Sequence, residues 1–438
     1  MKKSWIIRVF WGTLMLGMAM GAKAQVADRR VGELLNSSDW FTLEKEYPLL
    51  EDNVQTPMLG LMSEALLGYY FNRPDETVAC VDSLLRYHQE ELGLDNITSM
   101  LMVRSAAEAK RGNYAVAADV LKDFASQLRA QGVEMDYTPI DKAVQHYNYS
   151  RNYPPMSVER PEGDVVIAMA NDNIVLKIEN DTVPRGTTLQ VSVVVGGKEY
   201  QAIFDTGSGS TFMSAAFAEK VGVNVVADSF LIQGGRQVYG YWGFMDSMRL
   251  GGITVRNIPV AINPDTTLNK VADIDFLIGA DVMALLGEVQ IFPHDGKIVV
   301  PAQPTAKPAG GSNMYMDGSS LIIKGESGGK AYGFLFDTGN GMAALSYSFY
   351  ERNKVEIDMK AKRVRRLTGG VGAVEERDVL VLPVWALSFG GRSLEFRDMV
   401  VTIEGDKLVP YAGNIGMALV NQFEKVAINF NDCFVVFE

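Results

Sequence analysis

The feature that most constrains this chain is that one segment occurs in it twice. Residues 196–223 read GGKEYQAIFDTGSGSTFMSAAFAEKVGV, and residues 328–355 read GGKAYGFLFDTGNGMAALSYSFYERNKV. At an offset of 132, thirteen of twenty-eight positions are identical without a gap, including Gly196/Gly328, Lys198/Lys330, Tyr200/Tyr332, Phe204/Phe336, Ser214/Ser346 and Phe217/Phe349. Chance does not produce that density, so two related lobes are expected. The match returns at an offset of 137 near the end of each copy. There Phe276-Leu277-Ile278-Gly279 faces Gly413-Asn414-Ile415-Gly416, and Val289, Ile291 and Asp295 face Val426, Ile428 and Asp432.

The texture around the copies is that of short strands and tight turns. Val165-Val166-Ile167 and Ile174-Val175-Leu176 flank a turn-like Asn171-Asp172-Asn173, and Val191, Val193 and Val195 alternate with their neighbours. Residues 165–302 and 313–438 are therefore expected to be β lobes, joined by a Pro/Ala/Gly linker at 303–312. Residues 25–136 read differently. Leu59, Met62, Leu66, Tyr69 and Tyr70 fall at helical spacing before the breaker Asn72-Arg73-Pro74, and Val78, Val81, Leu84 and Leu85 follow. Met102, Ala106 and Ala109, the turn Arg111-Gly112-Asn113, then Val116, Val120, Leu121 and Phe124 repeat the plan about 38 residues later. This stretch resembles a short tetratricopeptide-like array, which implies either a packing domain or a surface for a protein partner. Residues 137–164, rich in Tyr, Pro and Asn, are expected to be a connector.

Met1–Ala24 has the pattern of an export signal: Lys2, Lys3 and Arg8, then an apolar stretch from Val9 to Met20, then Ala22-Lys23-Ala24. A membrane anchor needs about 20 apolar residues, and this stretch is shorter. The mature chain is thus expected to carry no integral membrane span and to be periplasmic or secreted. Lys+Arg number 41 against 53 Asp+Glu, a net charge of −12, which argues against a nucleic-acid partner. With only Cys80 and Cys433, and only His88, His146 and His294, a Cys-rich metal site, multi-His catalysis and a Ser/His/Asp triad all start badly. Neither a metal nor a cofactor is expected. His294 reads as a turn residue, and the basic run Lys360–Arg366 as a solvated face. Gly369-Gly370-Val371-Gly372 has a phosphate-loop look but lacks the following Lys-Ser/Thr.

At the centre of each copy an apolar strand runs into Phe-Asp-Thr-Gly, Phe204–Gly207 and Phe336–Gly339, followed by Ser208-Gly209-Ser210 and Asn340-Gly341-Met342. Glycines let backbone amides approach a carboxylate. The threonine hydroxyls can hydrogen-bond across a two-fold interface. Two such loops face to face would bring Asp205 and Asp337 into contact. Like charges that close share a proton, and the pair can hold a water between an ionised base and a protonated acid. That is peptide hydrolysis without metal or covalent intermediate.

Here the sequence resembles the clan of pepsin-like and retroviral-type aspartic proteases. Asp205-Thr206-Gly207-Ser208 and Asp337-Thr338-Gly339-Asn340 carry the resemblance, supported by the two hydrophobic-Gly elements, over residues 165–438. It implies a mostly β, bilobal acid-protease fold of two retropepsin-like lobes, with a Gly-rich flap whose candidates are Gln233, Gly234, Gly235 and Thr368, Gly369, Gly370. Asn340, where the family carries a hydroxyl, and Asn414, where it carries an apolar residue, depart from the pattern. No clear flap tyrosine is present, although Tyr239 and Tyr241 are near. The function implied is a monomeric, exported aspartic endopeptidase acting on peptide or protein substrates. The competing readings are a non-catalytic periplasmic peptide-binding or scaffolding protein, and an adaptor whose β domains are structural.

The mature protein should begin near Gln25. N-terminal sequencing of the exported chain checks this, and recovery of Met1 would refute it.

Overall fold

The computed structural model describes residues 22–178, 181–233, 237–266, 274–370, 373–405 and 409–438. Residues 1–21, the body of the expected export signal, lie outside them. The chain divides into two compact units. One runs through the helices to Pro155 and takes in Ala309–Gly318; the other comprises Met156–Pro308 and Ser319–Glu438.

Among the described residues, the first unit contains seven α-helices: α1 (Ala22–Ser37), α2 (Trp40–Leu50), α3 (Pro57–Tyr70), α4 (Pro74–Tyr87), α5 (Gln89–Lys110), α6 (Tyr114–Ala130) and α7 (Thr138–Ser150). Consecutive helices from α3 onward pack as neighbours. Their apolar stripes fill the core, with Met62, Leu66, Val81, Leu84, Met100 and Leu121 fully buried. Prolines at the first turns of α3, α4 and α7 remove an N–H that would have no helical partner. That rule accounts for α7, which occupies residues expected to be a connector. Pro139 opens the helix, and Ile140 turns inward. Only the stretch after Ser150 is irregular, apart from a short strand at Ser157–Glu159.

A second departure concerns the linker. The Pro-rich character of 303–312 suggested that the second lobe begins at 313, but Ala309–Gly318 belongs with the helices. The strand Met314–Asp317 carries Tyr315 into an aromatic cluster, with ring centroids 4.9 Å from Phe41, 5.6 Å from Tyr70 and 6.2 Å from Phe71. Tyr70 in turn stacks on Trp40 at 4.3 Å. Aromatic burial of this kind outweighs the backbone preference of a Gly/Pro segment.

The second unit contains both copies of the duplication, each threaded in the same way. In the first, the strand entering the Asp-Thr-Gly loop, Lys198–Phe204, and the strand leaving it, Thr211–Ser214, are not paired with each other. Phe276–Ile278 lies between them, parallel to the one and antiparallel to the other. In the second, Gly413–Ile415 lies in the same way between Lys330–Phe336 and Ala343–Leu345. The hydrophobic-Gly elements are therefore the strands that hold the loops. Each lobe also has a long hairpin, Asn224–Gln233 with Gln237–Leu250 and Lys362–Gly370 with Ala373–Phe389.

The lobes are not separate sheets at their base. Glu288–Phe292 pairs antiparallel with its own duplicate, Val426–Asn429, placing Val289 opposite Ile428 and Ile291 opposite Val426. All four side chains are fully buried. An element pairing antiparallel with its copy is what a two-fold axis through that ladder requires. Beside it, buried Glu288 accepts from Asn429 Nδ2, Gln290 Nε2, Thr305 N and Thr305 Oγ1. Burial pushes its pKa up, but these donors outweigh it and hold the carboxyl below its usual range.

Asn171-Asp172-Asn173 is not a turn. Val165–Ile178 is one strand paired to Asp181–Val195, with an irregularity in register between Asn173 and Val175. The three polar residues pair regularly with Leu189, Thr188 and Thr187, the irregularity falls after them at Ile174, and Asn171 Nδ2 donates to Pro293 O. The architecture is thus a helical region followed by a mostly β unit of two duplicated lobes.

Tyr315→Ala should weaken the helical unit by about 3 kcal/mol, through the lost ring and the cavity it leaves. Denaturant titration of the full chain, followed by the helical circular-dichroism signal, measures the shift.

Candidate active site

The threading fixes where each aspartate goes. Asp205 N donates to Ile278 O at 2.9 Å, and Ala280 N to Ser208 O at 2.8 Å, so the first loop is clipped at both ends to the strand between. Asp337 N to Ile415 O, 3.0 Å, and Met417 N to Asn340 O, 2.9 Å, repeat the clips in the second lobe.

The two loops meet through their threonines. Thr206 Oγ1 donates to Phe336 O at 2.8 Å and accepts from Thr338 N at 3.0 Å. Thr338 Oγ1 donates to Phe204 O at 2.6 Å and accepts from Thr206 N at 3.0 Å. Both side chains are fully buried. Four bonds in a dry interface, each hydroxyl acting as donor and acceptor, lock one loop to the other.

The glycines set how close the aspartates come. A Cβ on Gly207 would fall inside the Asp337 carboxyl, and one on Gly339 inside that of Asp205. Each carboxyl thus occupies the space left by the opposite loop's glycine. The next glycines are packed across the same interface. A Cβ on Gly341 would stand 2.7 Å from Gly186 Cα, and Ser319 crowds the face of Gly209. Gly186 has a φ of 89°, open only to glycine at low cost.

The two carboxyls are close enough for each to act on the other's ionisation. Asp205 Oδ1 accepts from Gly207 N at 2.8 Å and Gly339 N at 3.2 Å. Burial, then the charge of Asp337, push the Asp205 pKa well above the usual carboxylate range, against the pull of those amides. Burial raises Asp337 as well, while the Asn414 amide, Asp205 and the Gly339 and Asn340 amides hold it down.

The loops differ in the residue after the glycine. Ser208 Oγ donates to Ser210 O at 2.7 Å, within its own loop. Asn340 Nδ2 donates to Asn414 Oδ1 at 3.0 Å, and Asn414 Nδ2 to Asp337 Oδ2 at 2.6 Å. The amide of Asn340 thus reaches the carboxylate through a second asparagine. Asn414, which in the sequence stood out only as a break in an apolar pattern, is a direct partner of Asp337.

The flap candidates lie at hairpin ends. Gln233 ends its strand opposite Gln237, and Thr368, Gly369 and Gly370 pair with Glu375, Val374 and Ala373. Gly234 and Gly235 lie outside the described residues. Tyr239, on the returning strand, is 69% exposed. The basic run is solvated: Arg363 and Arg365 pair across the hairpin with Asp378 and Glu376 at 3.8 and 3.2 Å. Cys80 and Cys433 are both buried thiols, not joined by a disulfide. Among the described residues, no group of three or more His, Cys, Asp or Glu is placed to hold a metal ion, and no helix is long and apolar enough to cross a membrane.

Sequence reasoning missed Asp281. It follows the first hydrophobic-Gly element and is tied to Thr211 N at 3.2 Å, Thr211 Oγ1 at 3.3 Å and Val282 N at 2.8 Å. The signal was a lone acid two residues past Gly279, with Ala418 at the matching place in the second copy.

Residues 191–282 match the family model described as aspartyl protease. Among solved structures, the chain is similar to basic 7S globulin from soybean, at 8% identity and a TM-score of 0.38, covering 64% of this chain and 95% of that one. It is also similar to a retropepsin-like aspartic protease from Rickettsia conorii, at 14% identity and a TM-score of 0.21, covering 33% and 92%. No curated protein matches the sequence.

Burial raises the Asp281 pKa from 3.8 to about 6, against its three donors. Between those values the folded chain holds a proton that the unfolded chain has lost. Its contribution is complete below pH 3.8 and is lost as pH rises to about 6. Asp281→Asn cannot titrate, although it keeps only one of the two oxygens that accept from Thr211 N and Val282 N. Its stability should therefore fall less than the wild type's over this window, by up to about 3 kcal/mol. Denaturant titrations at a series of pH values check the difference in slope.

Proposed function

We propose that the chain is an exported aspartic endopeptidase that hydrolyses peptide bonds with water activated by Asp205 and Asp337. The observation that carries this reading is the pair itself: two carboxyls placed against each other, Asp205 buried and Asp337 half-buried, one from each copy of the duplication, locked by the Thr206–Thr338 exchange. Bringing two carboxylates together in a low-dielectric site costs stability. A module that only bound peptides would have no use for that cost.

The chemistry follows from the shared proton. A water held between the carboxyls loses a proton to the ionised one and attacks the peptide carbon, while the protonated one donates to the carbonyl oxygen. The tetrahedral adduct collapses as the amide nitrogen takes a proton, the C–N bond breaks, and the two carboxyls are left with one proton between them. Both halves of the site come from one chain, so a monomer suffices. The hairpins ending at Gln233 and Gly370 are proposed to cover the substrate. The Met1–Ala24 pattern supports a periplasmic or secreted location. The helical unit is proposed to serve either packing or a protein partner.

Digestion of casein or a peptide library, with and without pepstatin, tests the reading. Asp205→Asn and Asp337→Asn should each lower kcat by about a thousandfold or more, and the double variant should be scarcely worse, because the pair acts as a unit. The pH–rate profile should be bell-shaped, with two constants that belong to the pair. Full activity in either folded single variant would overturn the proposal.

A further inference from the structure

The two loops are copies, but their aspartates do not have equal surroundings. Asp337 receives a side-chain amide, Asn414 Nδ2, at 2.6 Å on Oδ2. That amide cannot swing away, because Asn414 Oδ1 accepts from Asn340 Nδ2 at 3.0 Å. Asn340 is held in turn, its Oδ1 accepting from Met342 N at 3.0 Å. Three fixed dipoles in series thus point a donor at one carboxyl. The matching positions in the first lobe offer nothing of the kind. Leu277 stands at the place of Asn414 and has no donor, and the Ser208 hydroxyl at the place of Asn340 is spent on Ser210 O. The strands bearing Leu277 and Asn414 are in the same register, Leu277 opposite Ile203 and Asn414 opposite Leu335, so the difference is of side chain and not of backbone.

We propose that Asn414, braced by Asn340, is a positioning residue that gives the dyad a fixed polarity, with Asp337 as the ionised carboxylate and Asp205 as the carrier of the shared proton. An N–H donor stabilises a carboxylate over a carboxylic acid. Asp205 Oδ1 accepts from the backbone amides of Gly207 and Gly339 at 2.8 and 3.2 Å, but among the described residues no side-chain amide reaches it. With one proton for two carboxyls, the shorter 2.6 Å side-chain donor on Asp337 sends the proton to Asp205. Burial raises both carboxyls, and the Asn414 amide pulls down that of Asp337 alone. Among the described residues, the charged group that acts on each carboxyl is the other. Asp281, in the first turn of the helix Ala280–Leu286 that follows the first loop's supporting strand, is turned to Thr211 and Val282. In hydrolysis, Asp337 then takes the water's proton and Asp205 gives its own to the carbonyl oxygen. This assignment of roles rests on the peptidase reading; the polarity itself does not.

The test uses the full chain and two readouts. The first is a carboxyl-carbon NMR titration of 13C-aspartate protein, with Asp205→Asn and Asp337→Asn for assignment. The signal of Asp337 should move at the lower pH. In Asn414→Leu, which installs the first lobe's residue, that step should shift upward by about one pH unit, and Asn414→Ser, which keeps a hydroxyl donor, should restore part of it. The second is the pH profile of kcat/KM on a library substrate, whose acid limb should shift by the same amount. A role limited to packing would lower the melting temperature and leave both the titration and the limb in place. Asp205 ionising first in the wild type, or an Asn414→Leu titration identical to wild type, would overturn the polarity. Should Asn414→Leu not fold, the wild-type titration alone decides which aspartate ionises first. A wild type that cleaves nothing would defeat the peptidase reading, and the NMR titration would still decide the polarity.

Discussion

Two carboxyls placed against each other in a buried site repel as ions and lose hydration, and the second unit is organised around meeting that cost. The Thr206–Thr338 exchange supplies four hydrogen bonds across the interface without using a charge. The glycines on either side supply the room, since the Cβ they lack is the space the facing carboxyl fills. Proton sharing removes one of the two charges. Each device needs the others. Without the threonines the loops have no fixed spacing, and without the glycines the carboxyls cannot reach that spacing.

The backbone transmits this constraint outward. The strand between the limbs of each loop is bonded to both ends of it, so any movement of Ile278 or Ile415 moves an aspartate. At the base, the pairing of Glu288–Phe292 with Val426–Asn429 ties the copies along their two-fold relation. Buried Val289, Ile291, Val426 and Ile428 make that ladder apolar, and Glu288 with its four donors makes its register specific. A buried polar network that is fully satisfied resists sliding in a way an apolar seam does not.

The symmetry is also where the copies have parted. A perfectly symmetric dyad would leave the proton no preferred owner. The Asn340–Asn414 relay breaks that degeneracy on one side, while Leu277 keeps the other side apolar. The helical unit shows a different kind of departure. Its core takes Tyr315 from a segment far along the chain, so the unit is not a simple N-terminal block.

By itself the sequence determined that there are two β copies, that each carries Phe-Asp-Thr-Gly after an apolar strand, and that helices precede them. These are properties of periodicity and repetition, which local residues carry. It also marked Asn340 and Asn414 as departures from a pattern. Only the tertiary structure decided what they do, because their bond joins residues 74 positions apart and neither has a local reason to face Asp337. The same holds for Asp281 and Thr211, and for Tyr315 among the helical aromatics. Tyr, Asn and Pro in residues 138–150 favour turns in isolation, whereas packing of a proline-opened helix against its neighbour overrides that weak preference. Side-chain partners distant in sequence leave no periodic trace, and the protonation of a coupled pair is set by such partners.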